Sequence, residues 1–283
     1  MSKIVVVPKD DNNLDVLLGM DVDVILIGVS GLAVNCSYYV SYEELDRVVS
    51  YIKGHGKKVF VSLNKIISNS DLVLLEDVLI KVDSLGVDGV IFYDYSVISI
   101  KKRLGLSVNL IIAREHSNAS IYSHLFYKEC GIDSSFVTSD ITIEEILDIK
   151  KKVGINLLVL VYGCIPIMYS RRYLLTNYFK YINQDMKDDY YYIKDVSGEY
   201  IIKEEEYGSA VYTKSVLDLD YEFSMYRDYF DYVVLYSSFI SEDDYIKAVS
   251  HYIDINNNKD VKFNDGYKGF SYTKTIYKVK NDG

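Results

Sequence analysis

Along the chain, short unbroken apolar runs alternate with longer stretches in which apolar residues recur at every third or fourth position. The runs fall at residues 4–7, 24–29, 59–63, 90–92, 110–112, 136–137, 157–161 and 232–235. A run without polar alternation suits a strand buried on both faces, as in a parallel sheet covered by helices. Between the runs, Ser41-Tyr42-Glu43-Glu44 and Thr142-Ile143-Glu144-Glu145 read as capping boxes, in which a hydroxyl and a carboxylate satisfy N–H groups at a helix start. Ser241-Glu242-Asp243-Asp244 is a weaker version. Gly54, Gly86, Gly131 and Gly154 stand where helices should stop.

A phrase of glycine, apolar residue and short polar residue recurs just ahead of strands, at Gly19-Met20-Asp21, Gly86-Val87-Asp88, Gly131-Ile132-Asp133 and Gly154-Ile155-Asn156. About eight strands with tight helix-to-strand returns predict an α/β fold, a (β/α)8 TIM-like barrel of somewhat irregular build, ahead of an open doubly wound sheet. The barrel domain is expected over residues 1–255, with a tyrosine-rich β insertion at about 180–212 whose Ser197-Gly198 reads as a hairpin turn. Residues 256–283 are polar and suit a peripheral strand or a loose tail.

Composition narrows the function classes. A net charge of −10 and a pI near 4.9 argue against strong direct binding of nucleic acid or of an anionic membrane by this chain alone. The apolar runs fall well short of the ~20 residues of a membrane span, and the first residues are too short an apolar stretch for an export signal. Three scattered cysteines, Cys36, Cys130 and Cys164, form no CxxC pair, disulfide framework or zinc ribbon, so a reducing, cytoplasmic location is expected and no metal site is predicted.

In a parallel barrel, function concentrates where strands end. The residues just after the apolar runs include Asn64, Asp94, Arg114 with Glu115 and His116, Ser139 with Asp140, and Cys164. Of these, Asn64, Asp94, Arg114, Glu115 and His116 are candidates for binding substrate. The competing reading is that strand ends are polar because they meet solvent.

The stretch Tyr162-Gly163-Cys164-Ile165-Pro166-Ile167-Met168-Tyr169-Ser170-Arg171-Arg172-Tyr173-Leu174-Leu175-Thr176-Asn177-Tyr178 resembles the signature of the collagenase-like peptidases, family 32 of the peptidases of unknown catalytic type. The opening strands and residues 86–94 and 126–145 are similar to that family as well, so the resemblance covers most of residues 1–255. It implies a hydrolase acting on peptides. Several larger members instead carry an iron–sulfur cluster and hydroxylate RNA bases or quinone precursors. Here Pro166 and Tyr173 stand where cluster cysteines would be, and no cysteine follows Cys164, so the family cluster is expected to be absent. The usual histidine is Tyr162, and the glutamate four residues before it is Leu158.

What remains of the family pattern is Tyr169, Ser170, Arg171 and Arg172 as candidate catalytic residues and Asn177 as a substrate contact. Arginine presents a rigid fork suited to carboxylate or phosphate, so Arg171 and Arg172 are placed at the barrel mouth on an anionic group, or else paired with Asp94 or Asp140. A Ser170, His116, Asp94 triad is the nucleophilic alternative. Three functions follow: a peptide hydrolase, a cluster-less subunit partnered by a cysteine-bearing relative in tRNA or rRNA base hydroxylation, and a non-catalytic anion-binding module.

Overall fold

The computed structural model describes residues 1–114, 118–132, 134–194 and 198–273. The first half runs β1 (Lys3–Val6), α1 (Asp11–Leu18), β2 (Val24–Val29), a two-residue β3 (Tyr39–Val40), α2 (Leu45–Gly54), β4 (Lys58–Leu63), α3 (Leu72–Ser84), β5 (Gly89–Phe92), α4 (Ser96–Leu104), β6 (Leu110–Ala113) and α5 (Ile121–Glu129). The second half runs β7 (Ser134–Phe136), α6 (Ile143–Val153), β8 (Asn156–Ser170), α7 (Leu174–Tyr181), β9 (Tyr190–Lys194), β10 (Glu199–Glu205), β11 (Gly208–Asp218), α8 (Asp220–Tyr226), β12 (Tyr232–Leu235) and α9 (Glu242–Asn256).

Eight of these strands pair in parallel in the order β1, β2, β4, β5, β6, β7, β8, β12, and β12 closes the ring on β1. Every apolar run of the sequence supplies one of them. The helices return over the outside, as in α6, where buried Ile143, Ile146, Ile149 and Val153 form one stripe and a capping box at Thr142 and Glu145 starts the helix. Each such fully buried side chain contributes about 1.5–3 kcal/mol of transfer free energy. Left-handed residues end α3, α5 and α6 at Gly86, Gly131 and Gly154; after α2 the left-handed residue is Gly56, because the helix runs through Gly54. The reciprocal bonds between Ser41 and Glu44 form, but on a turn just ahead of α2.

The last helix bolts the barrel shut. The Tyr245 hydroxyl donates to the Leu235 carbonyl at 2.9 Å and accepts from the Val7 N–H at 3.0 Å, tying β12 to the residue after β1. One heptad on, the Tyr252 hydroxyl lies 2.8 Å from the Val161 carbonyl and 2.9 Å from the Asp218 carboxylate. Both rings are fully buried, which a tyrosine tolerates only when its hydroxyl is partnered.

The one large departure from regularity is β8. Beyond Val161 the strand runs on to Ser170, and at Gly163 (φ +130°) a Cβ would come within 2.8 Å of the Tyr236 Cβ, so glycine is needed for the chain to leave the barrel there. From Tyr162 onward β8 pairs antiparallel with β11, and β10 and β9 extend the sheet into an arm. The insertion therefore spans about residues 162–218, wider than the 180–212 read from composition, and it contains α7. One face of the arm packs Ile202 and Val211 against Leu175 of α7, and the other packs Cys164, Ile201, Ala210 and Tyr212. The arm rests on the loops after β2 and β4: Tyr212 donates to Asn35 Oδ1 at 2.9 Å, and Lys65 Nζ sits 4.4 Å from the centre of the Tyr207 ring.

After α9 the chain is held against the barrel. Tyr267 bridges Leu217, and a buried cluster of Asp218, Asp220 and Glu222 is met by Lys268, His251, Asn264 and Tyr272.

Candidate functional site

The C-terminal ends of the barrel strands surround a small cleft of about 60 Å³. Asn64 follows β4, Tyr93 follows β5, Arg114 follows β6, and Thr138, Ser139 and Asp140 follow β7. Tyr236 follows β12, Asn35 comes from the loop after β2, and Ile165 and Pro166 enter where β8 departs. The parallel arrangement is what brings these seven strand ends together, since every barrel strand points the same way.

Arg114 is the strongest chemical feature of this cleft. Its guanidinium lies 4.9 Å from the Tyr93 ring centre and 5.2 Å from that of Tyr95, and its Nη1 donates to the Tyr95 hydroxyl at 2.9 Å. Its Nε is shielded from water without a hydrogen-bond partner among the described residues. Burial acts against the charge, but the two tyrosines outweigh it and hold the guanidinium firmly protonated. Two aromatic faces thus fix the fork in direction, the preorganisation that bidentate anion binding requires. Elsewhere on the wall, Asn64 Oδ1 accepts from the Val34 N–H at 2.9 Å, which fixes that side chain, and Thr138 Oγ1 lies 3.2 Å from Asp140 Oδ2.

The other expected residues stand elsewhere. Asp94 is not part of the cleft wall; its Oδ1 accepts from the Ser96 N–H at 2.9 Å and so opens α4. Tyr169, Ser170, Arg171 and Arg172 lie at the tip of the arm, where Ser170 pairs with Ser209, and none of them lines the cleft. The Tyr169 hydroxyl donates to the Tyr207 carbonyl at 2.7 Å, the Ser170 Oγ accepts from the Arg172 N–H at 3.3 Å, and both arginines are exposed. Ser170, Arg171 and Arg172 thus stand outside the cleft wall, because β8 continues for nine residues beyond the end of its apolar run at Val161. Asn177 is exposed on α7. Glu115 and His116 lie outside the described residues. Asn35 and Tyr236 were not singled out from sequence. Tyr236 was findable as the residue after the last apolar run, while Asn35 reaches the cleft through a loop with no periodic pattern.

The three thiols do not fit a four-thiolate cluster. Cys36 is in the loop after β2, Cys164 is in the base of the arm, and Cys130 caps the far end of α5, at the opposite end of the barrel. Burial pushes the Cys36 and Cys164 thiols up to about 11, away from the thiolate form a ligand or nucleophile needs. Among the described residues no group of three or more His, Cys, Asp or Glu is placed to hold a metal ion. Nor is any described helix long and apolar enough to cross a membrane.

Comparison with known proteins agrees with this architecture. The family model described as peptidase family U32 matches residues 10–219. The tRNA hydroxylation protein P2 of Bacillus subtilis is 22% identical over 217 residues, covering 74% of this chain and 70% of that protein. Its counterpart P1 is 28% identical over 158 residues, covering 55% of this chain and 37% of P1. An uncharacterized protease of Methanocaldococcus jannaschii is 28% identical over 141 residues, 48% of this chain and 34% of that protein. The chain thus spans about a third of the length of two of these relatives. A solved U32 peptidase shares the fold with a TM-score of 0.55 at 17% identity, over 84% of this chain and 93% of that one.

Proposed function

Because the chain belongs to peptidase family U32, we propose that it serves tRNA base hydroxylation as a ligand-holding subunit, with a cysteine-bearing relative supplying the redox centre. The observation that carries this reading is the Arg114 fork, clamped between Tyr93 and Tyr95 at the wall of the mouth cleft. A fixed guanidinium beside amide and hydroxyl groups suits holding an anionic small molecule. The names of the two Bacillus relatives supply the pathway, and the dispersed thiols are the reason for assigning the redox centre to a partner.

The test is co-purification with the cysteine-bearing family member of the same genome, with mass spectrometry of tRNA from a deletion strain complemented by wild type or Arg114→Ala. Loss of a hydroxylated nucleoside on deletion, restored by wild type and reduced about tenfold or more in the variant, is the expected result. Unchanged tRNA on deletion removes the proposal.

Peptide hydrolysis is the second reading, favoured by the family description and by the relative named as a protease. It requires peptide cleavage by the purified chain that Ser170→Ala or Arg171→Ala abolishes while the fold is retained. Cleavage that survives both changes would mean that the arm tip is not the site.

A further inference from the structure

Behind the Arg114 fork runs a chain of polar groups that are not part of the cleft wall. Asn118 is fully buried and ties two strand ends together: its Nδ2 donates to the Ile112 carbonyl at 3.1 Å and to the Phe136 carbonyl at 2.9 Å. The β6–β7 ladder ends at Ala113 opposite Phe136, so the Asn118 side chain continues the join where backbone pairing stops. On its other side, Asn118 Oδ1 accepts from the Tyr127 hydroxyl at 3.0 Å. Tyr127 is buried on α5, and its hydroxyl also interacts with that of Tyr95, which accepts from Arg114 Nη1 at 2.9 Å. Burial, together with the Tyr95 hydroxyl, pushes Tyr127 up to about 12, so it stays protonated near neutral pH.

The direction of this chain is forced from its buried end. Both N–H groups of the Asn118 amide go to carbonyls, so its oxygen faces Tyr127, and an amide oxygen only accepts. The Tyr127 O–H is used there. Toward Tyr95 the Tyr127 oxygen can then only accept, so the Tyr95 O–H turns to Tyr127 and its lone pairs turn to Arg114. Every proton sits on the Arg114 side of its bond, and bonds aligned in one sense polarise one another. The anchor matters because Tyr95 is 45% exposed: packing alone does not hold its ring, and the guanidinium lies 5.2 Å from that ring's centre. Neither Tyr127 nor Asn118 lines the cleft.

We propose that Tyr127, anchored on Asn118, is a positioning residue of the anion site: it fixes the Tyr95 hydroxyl, and through it the direction of the Arg114 fork, without touching the ligand. This rests on the reading of Arg114 as an anion holder and is independent of the reaction served. A fork held in advance loses less freedom when it grips an oxyanion, so the gain is read as affinity.

The experiment uses the full chain labelled with 15N at arginine, the Arg114 Nε–H signal being assigned by its loss in Arg114→Lys. Acetate and inorganic phosphate are the probe anions, titrated at constant ionic strength. Wild type is expected to bind at least one of them with movement of that signal. Tyr127→Phe, which keeps the buried ring, should weaken binding about fivefold and broaden the signal as the guanidinium gains freedom. Tyr95→Phe should do the same, and Tyr127→Phe added to it should cost nothing further, because a residue that acts through Tyr95 has no effect once that hydroxyl is gone. Unchanged affinity and an unchanged signal in Tyr127→Phe overturn the proposal. So does an equal loss in both backgrounds, which would make Tyr127 a support of the fold alone. Tyr95→Phe also gives a reading that no buried change can spoil: the Tyr127 hydroxyl proton should shift, and an unmoved proton breaks the link. Should neither anion bind wild type, the anion reading of the cleft falls, while the Arg114 signal in the two variants still decides whether Tyr127 holds the fork.

Discussion

The barrel and the arm share a strand, and the two halves of β8 show how differently they are built. From Leu157 to Val161 every residue is buried, because helices cover one side of the strand and the barrel interior lies on the other. Beyond Tyr162 the pattern loosens, since each face of the arm has its own small core and its edge is exposed. One cooperative core makes the barrel a rigid frame for the cleft. The arm depends on a few contacts with that frame and on its own pairing, which makes it the part of the molecule where local opening costs least.

The largest test of this contrast is Asp220→Asn. Asp220 is fully buried and accepts from His251 Nε2 at 2.9 Å and from the Asn264 N–H at 2.7 Å, with Lys268 Nζ at 3.6 Å. Removing one partner of such a buried cluster should cost about 3 kcal/mol, read as a lower urea midpoint of the whole barrel. Gly208→Ala comes next. A Cβ there would lie 2.0 Å from the Ser170 carbonyl oxygen, with φ at +136°, so β8 and β11 must part at the arm tip at a cost of about 2–3 kcal/mol. Faster hydrogen exchange confined to β10 and β11 supports a separately opening arm; equal acceleration in β1 and β2 would show the two regions to be one unit.

Tyr252→Phe should cost about 1–1.5 kcal/mol, since it leaves the buried Val161 carbonyl and Asp218 carboxylate without that hydroxyl. Thermal unfolding checks it, and unchanged stability would show that α9 closes the barrel by packing alone. The smallest effect concerns pH. Burial acts against ionisation of Asp71, but the Ser68 hydroxyl and N–H and the Lys65 ammonium outweigh it and hold the carboxyl below its usual value. A lowered folded pKa means stability present above about pH 4, the unfolded carboxylate range, and lost as pH falls through the folded value. Asp71→Asn should cost at most about 1 kcal/mol at pH 7 and flatten the acid limb of the stability curve.

The barrel was legible because its strands are buried on two faces and so read as unbroken apolar runs. All eight runs became barrel strands. The arm was legible only as polar and tyrosine-rich, since Gly163 and Pro166 interrupt β8 in sequence while the strand continues in space. Asn64 and Arg114 were found by their position after a strand, and the structure places both in the cleft wall. Ser170–Arg172 do not line the cleft, because β8 runs on for nine residues after its apolar run ends. The family resemblance drew attention to those residues without supplying their position.

Closure of the ring carries a consequence for synthesis. β1 finds its second neighbour in β12, with Lys3 opposite Tyr232, so one edge of β1 waits for more than two hundred residues before it is paired. Nascent chains that stall within the arm, after β8 but before β12, would present that edge and the matching edge of β8 together. Such an intermediate is an open sheet with two complementary rims, able to pair with a second stalled chain as readily as with its own missing strand.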